Sequence, residues 1–478
     1  MSFKGRTVAL MVGSAIVLSS LLTVAVMNVP ALSGHVNATG TGFSSQQMQK
    51  LNSVLHTIES NYIEPVEREK LLSGALDGMF AVLKDPYSTY MRRSEATSFN
   101  ESVEGEFTGI GAEVSLDNGA VTVVSPIKNS PAEKAGLQPK DVLLTVDGES
   151  LDGKTLTEAV SKIRGPKGST VKLEVKRPGH EQVMVFQIKR DKVDLETVYP
   201  SMLEGNIGYI ELRQYSANTA ERFEKALKEL EAKQMKGLII DVRNNPGGVL
   251  DTVKQMTEHF VPVGKPILQI EYRDKKRDVY KSKGAKDVKP YPIAVLTNKG
   301  SASASEIMAA ALQESAGAIL VGDNTFGKGT VQSSHLVSKN DGDLIKLTIA
   351  KWLTPDGKWI HEKGIEPDVK VAQPSYFQAA PIPKDKTLKL NLTSADVANV
   401  QHILKGIGYP VDRVDGYFSP DTKVAVEKFQ RDHSVPVTGE VNKLTAEKLE
   451  QAVIKAIRDP KNDAQLDAAI KAVQKEIR

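Results

Sequence analysis

The stretch VGDNTFGKGTVQ, residues 321–332, admits two structures with opposite chemistry, and the choice between them decides the fold. From Gly322 through Gly327 to Lys328 it fits G-x-x-x-x-G-K, the pattern of a loop that cradles nucleotide phosphates beneath a charged lysine. The alternative is a desolvated lysine, which loses its proton near neutral pH and acts as a base.

The sequence around Lys328 does not support the nucleotide-binding loop. That loop requires a serine or threonine directly after the lysine to hold magnesium, whereas Gly329 stands there. It also requires a helix that starts at the lysine, whereas GTVQSSHLV (329–337) alternates β-branched residues and predicts a strand. GLIID (237–241) is similar to a magnesium-binding strand, but short apolar runs ending in aspartate are common. Taken alone, the local sequence favours a solvated lysine in a glycine-rich turn.

A base requires a nucleophile, and NKGSASASEIMAAAL (298–312) offers one. Small residues there lie between a predicted buried strand and an apolar helix, so a serine would sit at the strand-to-helix turn. The N–H groups at the start of the helix suit an anionic tetrahedral intermediate. Helix capping explains one serine, but not three that alternate with alanines.

Three motifs in this order resemble the carboxy-terminal processing proteases, also called tail-specific proteases, which are Ser–Lys endopeptidases. They are DVRNNPGG (241–248), GSASASEI (300–307) and FGKGTVQ (326–332), and the likeness covers roughly residues 45–375. The resemblance implies that Ser303 is the nucleophile and that Lys328 is the general base in place of histidine. Gln332, four positions on and therefore on the same face of an extended strand, would orient the Lys328 amine.

The resemblance also implies supporting serines and an oxyanion hole. The supporting residues are Ser301 and Ser305, and the oxyanion hole combines the amide of Ala304 with that of Gly247 or Gly248. Because Lys328 must be neutral to accept the Ser303 proton, we expect it to be buried without a carboxylate partner. Glu306 is the nearest anion in sequence; we expect it to face the helix dipole, and a contact with Lys328 stays open.

A peptide-binding domain precedes these motifs. FTGIGAEV (107–114) resembles the carboxylate-binding loop of a PDZ domain, and SPAEKAGLQPKDVLLTVDGESL (130–151) is similar to its helix and following strand. The loop residues Gly109, Ile110, Gly111 and Ala112 would offer N–H groups to a terminal carboxylate, while the peptide adds as a strand. The resemblance implies that docking gates the catalytic residues. Arg164 is predicted to relay docking, the alternative being a surface arginine that caps its helix.

The C-terminal sequence 395–451 resembles a small three-helix peptidoglycan-binding domain, through VQHILKGIGY, DGYFSPDT, AVEKFQ and VTGEVNKLT. Wall binding and a mere oligomer contact both stay open for this unit. The amphipathic segments 44–84 and 463–478 allow a homodimer, as the family resemblance implies.

The N-terminus predicts a membrane anchor. Lys4 and Arg6 precede the uncharged residues 7–27, which are long enough to span a bilayer with the cations in the cytoplasm. A cleaved signal peptide is the alternative, but VPALSG (29–34) is a poor cleavage site. We therefore favour an uncleaved anchor, with residues 33–43 as a tether and the catalytic domains outside the membrane.

Composition excludes several chemistries. The chain has 478 residues and no cysteine, which removes thiol catalysis, disulfides and thiolate metal sites. A net charge of +3 argues against a nucleic-acid binder. The eight histidines show no metal-ligand spacing, so we expect neither a metal nor another cofactor. His335, near Lys328 in sequence, is the one candidate for a Ser–His site.

The sequence thus predicts an α+β multidomain protein with a crotonase-like ββα protease core. The predicted parts are the anchor 1–30, a helical region 44–100, a PDZ domain 101–190, the core 191–375, a peptidoglycan-binding-like unit 386–452 and a helical tail 453–478. The predicted function is a membrane-tethered serine endopeptidase that reads free, apolar C-termini of proteins. The alternatives are a non-catalytic scaffold and, with less support, a nucleotide hydrolase.

Overall fold

The computed structural model describes residues 42–117, 119–284, 289–337 and 341–477. The predicted membrane segment, residues 7–27, lies outside these ranges. No helix within the described residues is long and apolar enough to cross a bilayer. The chain divides into two units, residues 1–83 and 84–478.

The described part of the first unit is a pair of helices, α1 (Ser45–Asn61) and α2 (Arg68–Ala81), as the apolar spacing predicts. Ser44 caps α1 by accepting the Gln47 N–H at 3.2 Å, and Arg68 forms an ion pair with Glu59 at 2.7 Å. No side chain of either helix is buried within the unit. Of the apolar residues that gave the pattern of α1, Met48, Leu51 and Val54 are exposed, whereas Leu55 and Ile58 are partly buried.

The second unit begins with a short strand and a helix that lead into the predicted PDZ domain. These elements are β1 (Thr89–Met91), α3 (Arg93–Glu104) and β2 (Glu106–Gly109), and β2 pairs with β9 (Asp191–Asp194) at the exit from the domain. The domain itself contains β3 (Ala112–Asp117), β4 (Ala120–Pro126), α4 (Pro131–Ala135), β5 (Val142–Val146), β6 (Glu149–Ser150), α5 (Leu156–Ile163), β7 (Thr170–Lys176) and β8 (Met184–Lys189). Its sheet has the order β3-β4-β5-β7-β8, with β6 paired to β5. Strand β3 is consequently an edge strand.

The predicted protease core is built on a six-stranded sheet of order β10-β11-β12-β15-β16-β19. Its strands are β10 (Val198–Leu203), β11 (Ile207–Leu212), β12 (Gly237–Asp241), β15 (Ile293–Thr297), β16 (Ile319–Gly322) and β19 (Val369–Lys370). All neighbours are parallel except β10 and β11. Helices α6 (Thr219–Ala232), α7 (Leu250–Thr257) and α8 (Ala304–Ala316) bury apolar residues in one core with β11, β12, β15 and β16.

A second sheet forms the other side of the catalytic region. It consists of β1, β13 (Pro266–Tyr272), β14 (Arg277–Lys281), β17 (Thr330–Leu336) and β18 (Leu344–Leu353), all antiparallel. Strand β17 begins two residues after Lys328, so the prediction of a strand rather than a phosphate-binding helix is confirmed.

The C-terminal part contains α9 (Ala395–Gly406), α10 (Pro420–Asp432) and α11 (Lys443–Arg458), which share one apolar core. Helix α11 continues through the predicted boundary at residue 452. The last helix, α12 (Ala464–Glu476), packs Leu466, Ala469 and Val473 on the open face of the six-stranded sheet. The apolar face that we expected to be free for a dimer contact is thus covered by the same chain.

Candidate active site

Ser303 lies at the sharp turn between strand β15 and helix α8, as the motif predicts. Its backbone has φ 56° and ψ −113°, a strained conformation for a residue with a side chain. Such strain persists only where the surroundings impose it. Here the hydroxyls of Ser301 and Ser305 donate to the carbonyls of Val242 and Asn245, at 2.8 and 2.9 Å. The turn is therefore tied to the loop that follows β12.

Lys328 lies in the loop that precedes strand β17, and its side chain is half-buried. Burial lowers the pKa of Lys328, and the nearby positive charge of Lys346 lowers it further, while Glu306 and Asp85 oppose both. The amine lies 4.8 Å from the centre of the Tyr87 ring. Among the described residues no carboxylate forms an ion pair with this amine, and its lowered pKa is the direction expected of a base.

Glu306 joins these two loops through its fully buried carboxylate. Oε2 accepts the backbone N–H of Ser303 and that of Lys328, each at 2.8 Å. Oε1 accepts the N–H of Gly327 at 2.7 Å and the hydroxyl of Thr325 at 2.6 Å. The contact with Lys328 that the sequence left open exists, but it is made to the backbone and not to the amine. One side chain thereby fixes the positions of the candidate nucleophile and base.

Ser303 and Lys328 line the same cavity, whose volume is about 340 Å³. Apolar side chains such as Phe99, Leu250 and Trp352 form much of its wall. The charged side chains that line it within the described residues are Lys328 and Lys346, and no carboxylate does so. A cavity with apolar walls and a half-buried serine in its lining can hold an extended peptide while excluding water from the reacting groups.

Gln332 also lines this cavity, but its hydrogen bonds go elsewhere. Its amide donates to the hydroxyls of Thr330 and Thr348, at 2.9 and 3.2 Å. The expectation that it shares a strand face with Lys328 is wrong, because Lys328 precedes strand β17 and the strand register shifts between Val331 and Gln332. Ser303, Lys328 and Gln332 therefore share a cavity without being hydrogen-bonded to one another.

The structure distinguishes between the two oxyanion-hole glycines. The N–H of Gly247 donates to the Asn245 side chain at 2.9 Å, so it is already committed. Gly248 lines the cavity together with Ser303 and Ala304. A Cβ on Gly248 would lie 2.1 Å from the carbonyl oxygen of Tyr215, and its φ is +148°, so only glycine fits. Of the two glycines, Gly248 is thus the one that lines the cavity beside Ala304.

In the loop predicted to bind a peptide carboxylate, residues 109–112, the carbonyl groups of Ile110 and Gly111 are bonded to the rest of the PDZ domain. The carbonyl of Ile110 accepts the N–H of Ala132 at 2.7 Å, and that of Gly111 accepts the N–H of Ile127 at 2.9 Å. In a planar trans peptide the next N–H points opposite to the carbonyl. The N–H groups of Gly111 and Ala112 therefore point away from these bonds, at the start of the edge strand β3.

Arg164 ends helix α5 and connects the PDZ domain to helix α3. Its guanidinium donates to Glu101 at 2.6 Å and lies 5.2 Å from the centre of the Phe107 ring. Glu101 also accepts the N–H of Thr108, which precedes the carboxylate loop, at 3.3 Å. Helix α3 in turn contributes Phe99, Ser102 and Val103 to the wall of the catalytic cavity. Contacts thus run from Thr108, beside the predicted carboxylate loop, through Glu101 to the helix that helps to line the cavity of Ser303.

The alternative sites are not assembled. His335 is exposed, and its ring contacts the hydroxyl of Ser333 at 3.0 Å rather than Ser303. Asp241, the candidate magnesium ligand, is committed to the Tyr209 hydroxyl and to Arg243, both at 2.7 Å. Among the described residues no group of acidic or histidine side chains could hold a metal ion.

Sequence reasoning missed the part that Glu306 plays across the two loops. The S-x-x-E spacing from Ser303 to Glu306 is a capping box, and the Ser303 N–H bond conforms to it. Nothing in the spacing predicts the bonds to Thr325, Gly327 and Lys328. Lys346 lies 18 residues beyond Lys328 and belongs to none of the motifs, so the sequence did not indicate its place in the cavity.

Comparison with known proteins identifies the domains and the family. Residues 206–371 match Peptidase family S41, residues 122–177 match the PDZ domain, and residues 393–449 match the peptidoglycan binding domain. Residues 17–95 match the N-terminal domain of the activating protease CtpB.

Relatives of similar length align with most of this chain. The carboxy-terminal processing protease CtpB of Bacillus subtilis (strain 168) is 47% identical over 429 residues, which cover 89% of this chain and 89% of that protein. The carboxy-terminal processing protease CtpA of the same organism is 42% identical, covering 96% of this chain and 97% of that protein. A probable CtpA-like serine protease of Staphylococcus haemolyticus is 36% identical, covering 97% and 91%.

Proposed function

Because the chain belongs to peptidase family S41 and is a serine-type peptidase with a PDZ domain, we propose that it cleaves proteins near their C-termini by a Ser303–Lys328 mechanism. The observation that carries this proposal is the Glu306 carboxylate, which binds the backbone of both residues at the wall of one cavity. The lowered pKa of Lys328 supports it, because a base must be unprotonated.

The proposed reaction proceeds through an acyl-enzyme. Lys328 Nζ accepts the proton of Ser303 Oγ as that oxygen forms a bond to the scissile carbonyl carbon. The N–H groups of Ala304 and Gly248 bind the oxyanion. The Lys328 ammonium then protonates the leaving amine as the C–N bond breaks. Finally Lys328 takes a proton from water as the water oxygen attacks the ester carbonyl, and it returns that proton to Ser303 Oγ as the ester C–O bond breaks.

We further propose that a docked tail gates this reaction. The tail would extend the sheet along β3, between that strand and helix α5, with its carboxylate on the N–H groups of Gly111 and Ala112. Movement of α5 would reach helix α3 through the pair of Arg164 and Glu101. Lys328 would then turn from Tyr87 toward Ser303, and Gln332 toward the amine.

The experiment that tests the function compares one protein substrate with a free and with an amidated C-terminus. Charge-assisted hydrogen bonds are worth about 1.5–3 kcal/mol each, so amidation should lower kcat/KM by at least about tenfold. Mass spectrometry of the fragments locates the cut, and Ser303→Ala provides the blank. Equal cleavage by Ser303→Ala would remove the proposed nucleophile, whereas tail binding without any cleavage would favour the scaffold.

Arg164→Gln should abolish most of the stimulation by a docked tail peptide. The pair with Glu101 is part-exposed, so its loss should change the unfolding free energy by less than about 1 kcal/mol. The ratio of stimulated to basal kcat/KM should therefore fall toward one without unfolding. Lys162→Gln is the matched control. Lys162 lies on helix α5, two residues before Arg164, and the substitution breaks its ion pair with Glu149. Full stimulation in Arg164→Gln would contradict the relay.

We also propose three associations for the remaining parts. The segment 7–27 would anchor the chain so that the catalytic domains are extracytoplasmic, and the C-terminal unit would contact peptidoglycan. Two copies would associate through the first unit, whose helices expose Met48, Leu51 and Val54. Exposed apolar rows of this kind are favourable to bury against a second copy.

A further inference from the structure

Outside the cavity, a buried charge cluster joins the loop that carries Gly248 to the start of the last helix. Arg243 lies in this loop and donates to Asp463 through Nη1 at 2.9 Å and Nη2 at 2.7 Å. It also donates to Asp241, with Nη2 2.7 Å from Oδ2. The side chains of Arg243, Asp241 and Asp463 are only 12%, 5% and 13% exposed. Bidentate pairing at this depth fixes orientation as well as distance.

Asp463 is itself held firmly. It is the N-cap of α12, where it accepts the N–H of Leu466 at 2.9 Å, and it accepts the Gln373 amide at 2.6 Å. Helix α12 is in turn packed on the catalytic sheet. Burial acts to raise the pKa of Asp463, but the hydrogen bonds and charge of Arg243 outweigh it and the pKa is lowered. Asp463 is consequently a fixed anion at neutral pH.

Other hydrogen bonds also hold the loop between Asp241 and Gly248. The Asn245 side chain donates to the carbonyl of Leu212 at 2.8 Å and accepts the N–H of Gly247 at 2.9 Å. The hydroxyl of Ser305 donates to the Asn245 carbonyl on the nucleophile's side. Arg243 supplies a further attachment, five residues before Gly248. Displacement of a reacting group by about 1 Å can lower the rate about 100-fold, so such attachments matter for catalysis.

We propose that Asp463 is a positioning residue for proteolysis, which holds Arg243 and thereby the loop that presents the Gly248 N–H to the oxyanion. The C-terminal helix is then part of the catalytic framework rather than a tail. This inference rests on the proposed function, since the oxyanion belongs to the Ser303 reaction. Asp463 does not line the cavity, so its effect should fall on kcat and not on substrate binding.

Asp463→Asn tests this, because asparagine keeps an acceptor for the Leu466 N–H but loses the charge and one acceptor for Arg243. We expect kcat per active site to fall about 10- to 100-fold while KM changes by less than about threefold. Active sites are counted by complete labelling of Ser303 with a fluorophosphonate. Asp463→Glu, which restores a carboxylate, should recover part of the lost kcat.

Asp467→Asn on the same helix removes an exposed ion pair with Lys471 and should leave kcat unchanged. If Asp463→Asn yields little folded protein, Gln373→Met removes one hydrogen bond from Asp463 and should show a smaller loss of kcat at constant KM. Wild-type kcat in folded Asp463→Asn, or a rise in KM alone, would overturn the inference. Failure of the proposed function is distinguishable, since wild type and Asp467→Asn would then lack Ser303-dependent cleavage.

Discussion

Replacement of Lys328 by arginine should lower kcat/KM about 100- to 10,000-fold, although arginine is also a long basic side chain. A guanidinium does not lose its proton in proteins, so it cannot accept the proton of Ser303. Lys328→Met should be equally inactive. If Lys328 acted only as a cation that binds an anionic group, arginine would preserve much of the activity. Single-turnover cleavage of one peptide by the three proteins distinguishes these roles.

The pH dependence follows from the same requirement. Activity needs the neutral amine, so kcat/KM should rise as the pH rises through the pKa of Lys328. Because burial and Lys346 lower that pKa, the midpoint should lie below the ordinary lysine value of 10.5. A profile that falls over this limb would contradict a neutral base.

Stability supplies an independent control. The pKa of Lys328 is lower in the folded than in the unfolded chain, so the unfolded chain binds more protons between the two values and the unfolding free energy rises with pH there. At pH values below both pKa values, the folded chain bears the full free-energy cost of burying the charged Lys328 amine. Lys328→Met removes the penalty, so its melting temperature at neutral pH should exceed that of wild type even as activity is lost. Loss of folding therefore cannot account for the expected inactivity of this variant.

The sequence predicted those parts of the site that depend on local pattern. Alternation of β-branched residues after Gly329 identified strand β17, and the small residues around Ser303 identified the strand-to-helix turn. The strand and the turn both depend mainly on residues that are close together in the chain, and residue periodicity detects such local preferences. The motif order then supplied the chemistry of Ser303 and Lys328, which local sequence alone would have assigned to a cap and a surface turn.

Contacts between distant segments could not be predicted in this way. Glu306 reaches Gly327 across 21 residues and Arg243 reaches Asp463 across 220, and no spacing rule links them. The amphipathic pattern of α12 predicted that one face would be buried, but it could not say whether a second copy or the chain's own sheet would cover it. The register shift before Gln332 likewise depends on how β17 pairs with β18.

Glu306→Gln should lower kcat by about 100-fold and destabilise the fold, because all four partners of the carboxylate are donors. A glutamine offers one acceptor oxygen, and its NH₂ group would face two of the N–H or O–H groups. Each buried donor left without an acceptor costs about 1–3 kcal/mol, so the loops of Ser303 and Lys328 should separate or the protein should melt earlier. Calorimetry and kcat per labelled Ser303 measure the two effects.

The pH profile separates a positioning role from simple destabilisation. Burial raises the pKa of Glu306, and the four hydrogen-bond donors around it act in the opposite direction because they favour the carboxylate. The charge of that carboxylate in turn raises the pKa of Lys328. Removing that charge should therefore shift the rising limb of Glu306→Gln to lower pH while its maximum falls. Glu314→Gln makes the same change farther along helix α8, where the carboxylate binds Lys358 and the Asp356 N–H, and should alter neither. A lowered maximum with an unmoved limb would mean that Glu306 maintains the fold without acting on the charge balance at Lys328.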